Sequence, residues 1–176
     1  MSDKIKVGII GCGGIANGKH LPALSHQKSR VDIIAFCDLI LERAEKAAKE
    51  YGTPDAKVYT DYKELLKDER IDVVHVLTPN VAHCELTVAA LEAGKHVMCE
   101  KPMAATPADA KKMLDAQKKS GKLLTIGYQN RYRQDSQVLK KMCEAGDLGD
   151  IYYARAQAIR RRGVPTWGVF PNKALQ

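Results

Sequence analysis

Three small residues, Gly11, Gly13 and Ala16, directly follow an apolar run near the start of the chain. A Gly-x-Gly-x-x-Ala spacing after a strand suits the pyrophosphate of a dinucleotide. The first glycine permits a tight turn, the second leaves bare backbone beside the phosphates, and the small third residue lets the next helix pack on the sheet. The N-terminus of that helix offers free N–H groups and about half a positive charge to the anion. We therefore predict a dinucleotide site that includes Gly14 and Ile15, the alternative being a purely structural tight turn.

An acidic residue, Asp38, ends a second apolar run over residues 31–37. A carboxylate about twenty residues beyond the glycines accepts hydrogen bonds from both hydroxyls of the adenosine ribose and repels a 2′-phosphate. The sequence therefore predicts NAD as the cofactor and disfavours NADP. An alternative role for Asp38 is to cap the next helix, because Asp is a preferred capping residue, and the two roles are compatible.

Polar segments also follow three later strand-like runs. Thr78-Pro79-Asn80 follows the fourth run, Glu100-Lys101-Pro102 the fifth and Tyr128-Gln129-Asn130 the sixth. Ligands of open parallel sheets bind outside the carboxyl ends of the strands, so we expect these segments at the same site. The alternatives are an ordinary turn with helix capping at Pro79 and Asn80, and a surface ion pair between Glu100 and Lys101.

Strand-like and helical patterns alternate over residues 1–127. This alternation predicts an α/β fold of the Rossmann type, a doubly wound parallel sheet of six strands with helices on both faces. The strand-like runs cover residues 4–10, 31–37, 57–60, 71–77, 96–99 and 122–127, and the later helical patterns cover 41–51, 61–68, 81–93 and 107–120.

The alternation stops after residue 127, and we place a second domain over residues 128–176. It begins with a helical segment over residues 137–144 and a period-two run over residues 151–161 that predicts a strand. Fifteen further residues are too few to complete another core. We therefore expect the beginning of an incomplete second α/β domain.

Composition excludes several classes of protein. The chain has 176 residues, 45% of them hydrophobic and 28% charged, as in globular domains, and its N-terminus lacks a signal-peptide pattern. No apolar stretch is long enough for a membrane helix, so we expect a cytoplasmic protein without a membrane partner. The five cysteines are scattered without a Cys-x-x-Cys pair, so neither a disulfide framework nor a metal site is predicted.

The formal net charge of +7 is concentrated near the C-terminus, where residues 124–176 hold nine basic and four acidic residues. Nucleic-acid binders usually add interleaved aromatic residues or a recognisable reading module to such a patch. Only Tyr152 and Tyr153 lie nearby, so we predict no nucleic-acid partner.

Taken together, these motifs resemble the GFO/IDH/MocA family of NAD(P)-dependent oxidoreductases, which includes glucose–fructose oxidoreductase and inositol 2-dehydrogenase. The resemblance extends over essentially the whole chain, and the Glu-Lys-Pro element is its most specific part. It is carried by the loop from Gly11 to Ala16, Cys37-Asp38, Thr78-Pro79-Asn80 with His83, the segment from Ala93 to Pro102, and Gly127 to Tyr132.

The resemblance implies an enzyme that moves hydride between NAD and a secondary alcohol of a sugar, polyol or inositol. It implies that Lys101 lies beside the nicotinamide and stabilises alkoxide charge, with Glu100, Gln129 and His83 on the cofactor side. For His83 the alternative is helix capping, and His75 is interpreted as a core histidine.

The family's acid/base histidine belongs to an Asp-x-x-x-His element expected beyond Gln176, and none of the five histidines present is a credible replacement. We therefore expect the 176-residue chain to be the inactive cofactor-binding half of an enzyme that is a homo-oligomer when complete. Two alternatives stay open: an NAD-requiring glycosidase of the same fold, and a nucleotide-binding module without catalysis.

Overall fold

The computed structural model describes residues 4–159 and 161. The chain divides into two compact units, the first ending at Gly127 and the second beginning at Tyr128.

The first unit contains one sheet of six parallel strands in the order β3-β2-β1-β4-β5-β6. The order reverses between β1 and β4, as it does when two βαβαβ halves are joined. The predicted doubly wound α/β fold is therefore confirmed. The strands are β1 (Ile5–Ile10), β2 (Val31–Cys37), β3 (Lys57–Tyr59), β4 (Val73–Val76), β5 (His96–Cys99) and β6 (Leu124–Ile126).

Helices cover both faces of this sheet. The apolar cluster on one face joins α1 and α2 to β1 and β2 through residues such as Leu21 and Phe36. The cluster on the other face joins α3, α4 and α5 to the sheet through residues such as Leu91 and Met113. The helices are α1 (Leu21–Ser25), preceded without a break by a π-helical turn (Ala16–His20), α2 (Leu41–Tyr51), α3 (Tyr62–Leu66), α4 (His83–Glu92) and α5 (Pro107–Ser120).

The longest of these helices, α5, has clear end signals in the sequence. Thr106 caps its N-terminus by accepting a hydrogen bond from the backbone N–H of Asp109 at 3.1 Å, and Pro107 occupies the first turn. Gly121 ends the helix with a φ of +67°, which glycine adopts at little cost. The sequence prediction for this helix, residues 107–120, agrees with the structure.

The carboxyl ends of the strands form one row. In the strand pairing Cys37 lies opposite Ile10, Ile10 opposite Val76, and Val76 opposite Cys99. The segments that begin at Gly11, Leu77 and Glu100 therefore leave the sheet side by side, where a parallel sheet binds its ligands.

The second unit begins with a short 3-10 turn (Gln129–Tyr132) and one further helix, α6 (Gln134–Ala145). The strand predicted over residues 151–161 is wrong for residues 151–159, which form no strand in the structure. A period-two pattern fixes only which side chains share a face, whereas a strand also needs a neighbour for its backbone hydrogen bonds. Residue 160 and residues 162–176 of the predicted domain lie outside the described residues.

Within the described chain, none of the helices combines the length and the apolar character needed to cross a bilayer.

Candidate functional site

Gly11 makes the turn that opens the glycine loop, which we define as residues 11–15. Its φ is +94°, and a Cβ atom there would lie 2.7 Å from the carbonyl oxygen of Leu77. Its backbone N–H donates to the carbonyl oxygen of Cys37 at 2.8 Å. Only glycine fits this position, because both the backbone conformation and the contact with Leu77, just after β4, exclude a side chain.

Gly13 and Gly14 face open space. A Cβ atom on either would meet no other atom within 4 Å, and neither has a positive φ. Packing within the protein therefore does not require glycine here, whereas close approach of a phosphate to the backbone does. The helix that follows begins with N–H groups that have no partner within the helix, so the loop suits a bound pyrophosphate.

Asn17 holds the glycine loop in shape from the π-helical turn. Its side-chain amide donates to the carbonyl oxygens of Cys12 and Gly13 at 2.7 and 2.9 Å. These two hydrogen bonds tie the glycine loop to the turn that follows it. Asn17 was not predicted as part of the site, because an Asn inside a helical pattern gives no signal of its own.

Asp38 is bound to the glycine loop through its side chain. One carboxylate oxygen accepts the N–H of Cys12 at 2.8 Å and the other accepts the N–H of Ile40 at 2.9 Å. An ionised carboxylate has about four acceptor positions, so two are left for ribose hydroxyls. The alternative role as helix cap is not observed, because Ile40 occupies the N-cap position of α2 and no side chain caps that helix.

The segment after β4 is joined to the segment after β5 by His83. Its ring is fully buried, with Nδ1 at 2.7 Å from the carbonyl oxygen of Pro102 and Nε2 at 3.0 Å from that of Thr78. A fully buried ring presents no surface to a cofactor in this structure, and it does not cap α4. Asn80 is partly exposed and Pro79 is exposed, so both remain available to a ligand. Thr78 is partly exposed, but its hydroxyl oxygen is buried and has no hydrogen-bond partner among the described residues.

Glu100 forms a polar cluster at the end of β5. One carboxylate oxygen accepts a hydrogen bond from Nε2 of His20 at 2.8 Å, and the other accepts the backbone N–H of Lys101 at 3.0 Å. Burial alone would raise the pKa of Glu100, but the hydrogen bonds from His20 and Lys101 outweigh it and hold the pKa below its ordinary range. The alternative of a surface ion pair with Lys101 is wrong, since Glu100 binds the backbone of Lys101 rather than its side chain.

Lys101 itself is exposed, and its ammonium group has no hydrogen-bond or ion-pair partner among residues 4–159 and 161. The Lys101–Pro102 peptide bond is cis. Because its side chain is exposed, Lys101 is available to a ligand at the edge of the sheet.

Two histidines without a predicted catalytic role, His20 and His75, lie at or beside this cluster. The ring of His75 in β4 packs edge-on against that of His20, with centroids 5.7 Å apart. Burial, and to a smaller extent His20, lowers the pKa of His75 to about 4. His75 is thus a neutral histidine packed within the fold, as expected. The place of His20 beside Glu100 could not be inferred, because 80 residues separate the two in the chain.

Gln129 lies in the second unit, where it is exposed at the start of the 3-10 turn. Its contact with a cofactor stays a prediction. Within the described part of the chain, no cluster of three or more potential metal ligands occurs.

The chain is similar in sequence and in fold to known proteins. The model of the family GFO_IDH_MocA, an oxidoreductase family with an NAD-binding Rossmann fold, matches residues 5–128. D-glucoside 3-dehydrogenase of Escherichia coli K12 is 43% identical over 175 residues, which are 99% of this chain and 49% of that protein. The chain thus spans about half the length of the curated relatives it matches.

Among solved structures with the same fold, some contain NADH and others contain NADP. The WlbA dehydrogenase from Bordetella pertussis, in complex with NADH and UDP-GlcNAcA, has a TM-score of 0.79 and 31% identity over 85% of this chain and 45% of its own. The Y186F mutant of KijD10, a 3-ketoreductase from Actinomadura kijaniata in complex with TDP-benzene and NADP, has a TM-score of 0.75 and 29% identity, with the same coverage.

Proposed function

Because the chain belongs to the GFO/IDH/MocA oxidoreductase family with its NAD-binding Rossmann fold, we propose that it forms the cofactor-binding half of a sugar, polyol or inositol dehydrogenase. One observation carries the proposal. The glycine loop begins at position 11, which only glycine can occupy beside Leu77. The same loop is hydrogen-bonded through the Cys12 N–H to Asp38, which follows β2. The names of the matched relatives support a carbohydrate-like substrate.

The described residues fit the dinucleotide along the edge of the sheet. The open backbone at Gly13 and Gly14 and the helix after Ile15 would hold the pyrophosphate. Asp38 would accept hydrogen bonds from the adenosine ribose hydroxyls. Its negative charge would repel the 2′-phosphate of NADP and so favours NAD. Thr78, Pro79 and Asn80 would complete the site on the first unit, and contact of Gln129 with the cofactor stays a prediction from the sequence.

We assign a direct role in the hydride-transfer reaction to Lys101. When bound, the nicotinamide would supply the hydride acceptor or donor. The ammonium group of Lys101 would orient the substrate hydroxyl and stabilise negative charge on its oxygen as the proton leaves. That such an enzyme is a cytoplasmic homo-oligomer is an expectation that rests on the sequence alone.

Titration of NADH into the 176-residue chain by calorimetry tests the proposal. Wild-type protein should bind one NADH, and Gly13→Leu should weaken binding by about 100-fold or more, close to 3 kcal/mol, because the side chain occupies the phosphate position. Gly18→Leu is the matched control, since Gly18 also faces open space but lies outside the loop. Absence of NADH binding to the folded wild type, or equal binding by the Gly13 variant, would overturn the proposal.

A further inference from the structure

Two hydrogen bonds connect Lys101 to His20, which the backbone of the π-helical turn joins to the glycine loop. His20 is the last residue of the π-helical turn that follows the loop. Its ring binds one oxygen of Glu100, and the other oxygen of Glu100 binds the backbone N–H of Lys101. The side chains of His20 and Glu100 are only 12% exposed, so solvent competes weakly for the hydrogen bond between them.

The carboxylate of Glu100 has little freedom to move. A Cβ atom on Gly127 would lie 3.1 Å from its Oε1 atom, so glycine there leaves just enough room for the side chain. The lowered pKa keeps the group ionised. An ionised carboxylate only accepts hydrogen bonds, and its two described donors are the ring of His20 and the backbone of Lys101.

The ring of His20 is also held from the side of the sheet. His75 packs against it at an interplanar angle of 87°. Because burial keeps His75 neutral near neutral pH, Glu100 is the charged group that orients His20. A π-helical turn is rare and often marks a functional site, and here it ends at the residue that reaches Glu100.

From this geometry, and resting on the proposed function, we propose that His20 is a positioning residue for Lys101. Through Glu100 it ties the turn that carries Lys101 to the glycine loop. Occupation of the loop by the diphosphate then sets the position of the lysine that meets the substrate.

The test uses the ¹⁵N-labelled 176-residue chain, with ADP as the probe. The diphosphate of ADP reaches the glycine loop, but ADP has no nicotinamide ring to disturb Lys101 directly. In the wild type, the amide resonances of Gly13 and Lys101 should shift together, with one midpoint. In His20→Phe, which keeps a ring against His75 but cannot donate to Glu100, the Gly13 resonance should still shift and the Lys101 response should be lost.

Two further variants separate positioning from general stability. His20→Gln retains an N–H donor and should restore the Lys101 response, whereas His26→Phe, at an exposed histidine just after α1, should behave as the wild type. The inference fails if Lys101 responds equally in His20→Phe, or if Gly13 shifts in the wild type and Lys101 does not. If neither resonance shifts and NADH does not bind, the proposed function fails as well.

Discussion

The two backbone hydrogen bonds of Asp38 make its charge a fixed feature of the site, and this predicts how cofactor preference responds to substitution. Asp38→Asn keeps an acceptor oxygen but removes the negative charge that faces a 2′-phosphate. The ratio of NAD to NADP affinity should fall by about tenfold or more, or at least 1.4 kcal/mol. Calorimetric titration of both nucleotides measures the ratio.

The matched control is Asp32→Asn, which removes an acid paired with Lys4 near the opposite end of the sheet. It should leave the ratio unchanged. Wild-type protein that binds NADP as tightly as NAD would contradict the role assigned to Asp38.

For Lys101 the expected effect is on the chemical step. In a protein that carries this chain with a complete second domain, Lys101→Ala should lower kcat by about 100-fold or more, the scale of a positioned acid/base or electrostatic group. Affinity for NADH should stay close to that of the wild type. Steady-state kinetics with calorimetry tests this, with the exposed Lys118→Ala in α5 as control. Unchanged kcat combined with weak NADH binding would assign Lys101 to the cofactor instead.

His75 makes the stability of the fold depend on pH. Its pKa is about 4 in the folded chain and about 6.5 when unfolded. As pH falls between these values the unfolded chain takes up a proton that the folded chain does not, so the free energy of unfolding decreases, by about 3 kcal/mol in all. Urea unfolding across this pH range should show that the free energy of unfolding of His75→Phe lacks this decrease. An equal pH dependence in both proteins would contradict the assignment.

At the scale of elements, the turn from β1 into the glycine loop depends on Gly11. Gly11→Ala places a methyl group against the carbonyl of Leu77 and forces alanine to a φ of +94°. The free energy of unfolding should fall by at least about 2 kcal/mol. Gly13→Ala, in open space, should change it by less than about 0.5 kcal/mol. Urea denaturation of both variants provides the comparison, and equal stability would show that the backbone at Leu77 moves to accommodate the new methyl group.

The elements themselves were largely predictable from the sequence. Alternating apolar runs gave the six strands, and the glycine spacing gave the turn at Gly11, because both signals are local. The contact of His20 with Glu100 was not predictable, since it depends on how three strand ends align. The predicted strand at residues 151–161 failed over residues 151–159 for a related reason: its side-chain pattern is local, but its hydrogen-bond partner is not.

At the scale of the whole molecule, the 176-residue chain should bind NADH without oxidising sugars. The first unit holds the complete six-stranded sheet, which is enough for a core of ordinary domain size. The chain spans about half the length of its matched relatives, and the described second unit offers one helix and one short turn. Incubation with NAD and a panel of sugars and polyols should give no NADH absorbance, whereas steady NADH production by protein of verified mass would contradict this.

The hydrogen bond between Cys12 and Asp38 also restricts how the cofactor preference of such a chain can evolve. A substitution that shortens the side chain at Asp38 opens space for a 2′-phosphate, but it also deprives the Cys12 N–H of its acceptor. The same mutation therefore loosens the loop that both cofactors share. A lineage that changes from one cofactor to the other gains little from this first substitution until a second one supplies a new acceptor for the Cys12 N–H. We therefore expect the two substitutions to be inherited as a pair.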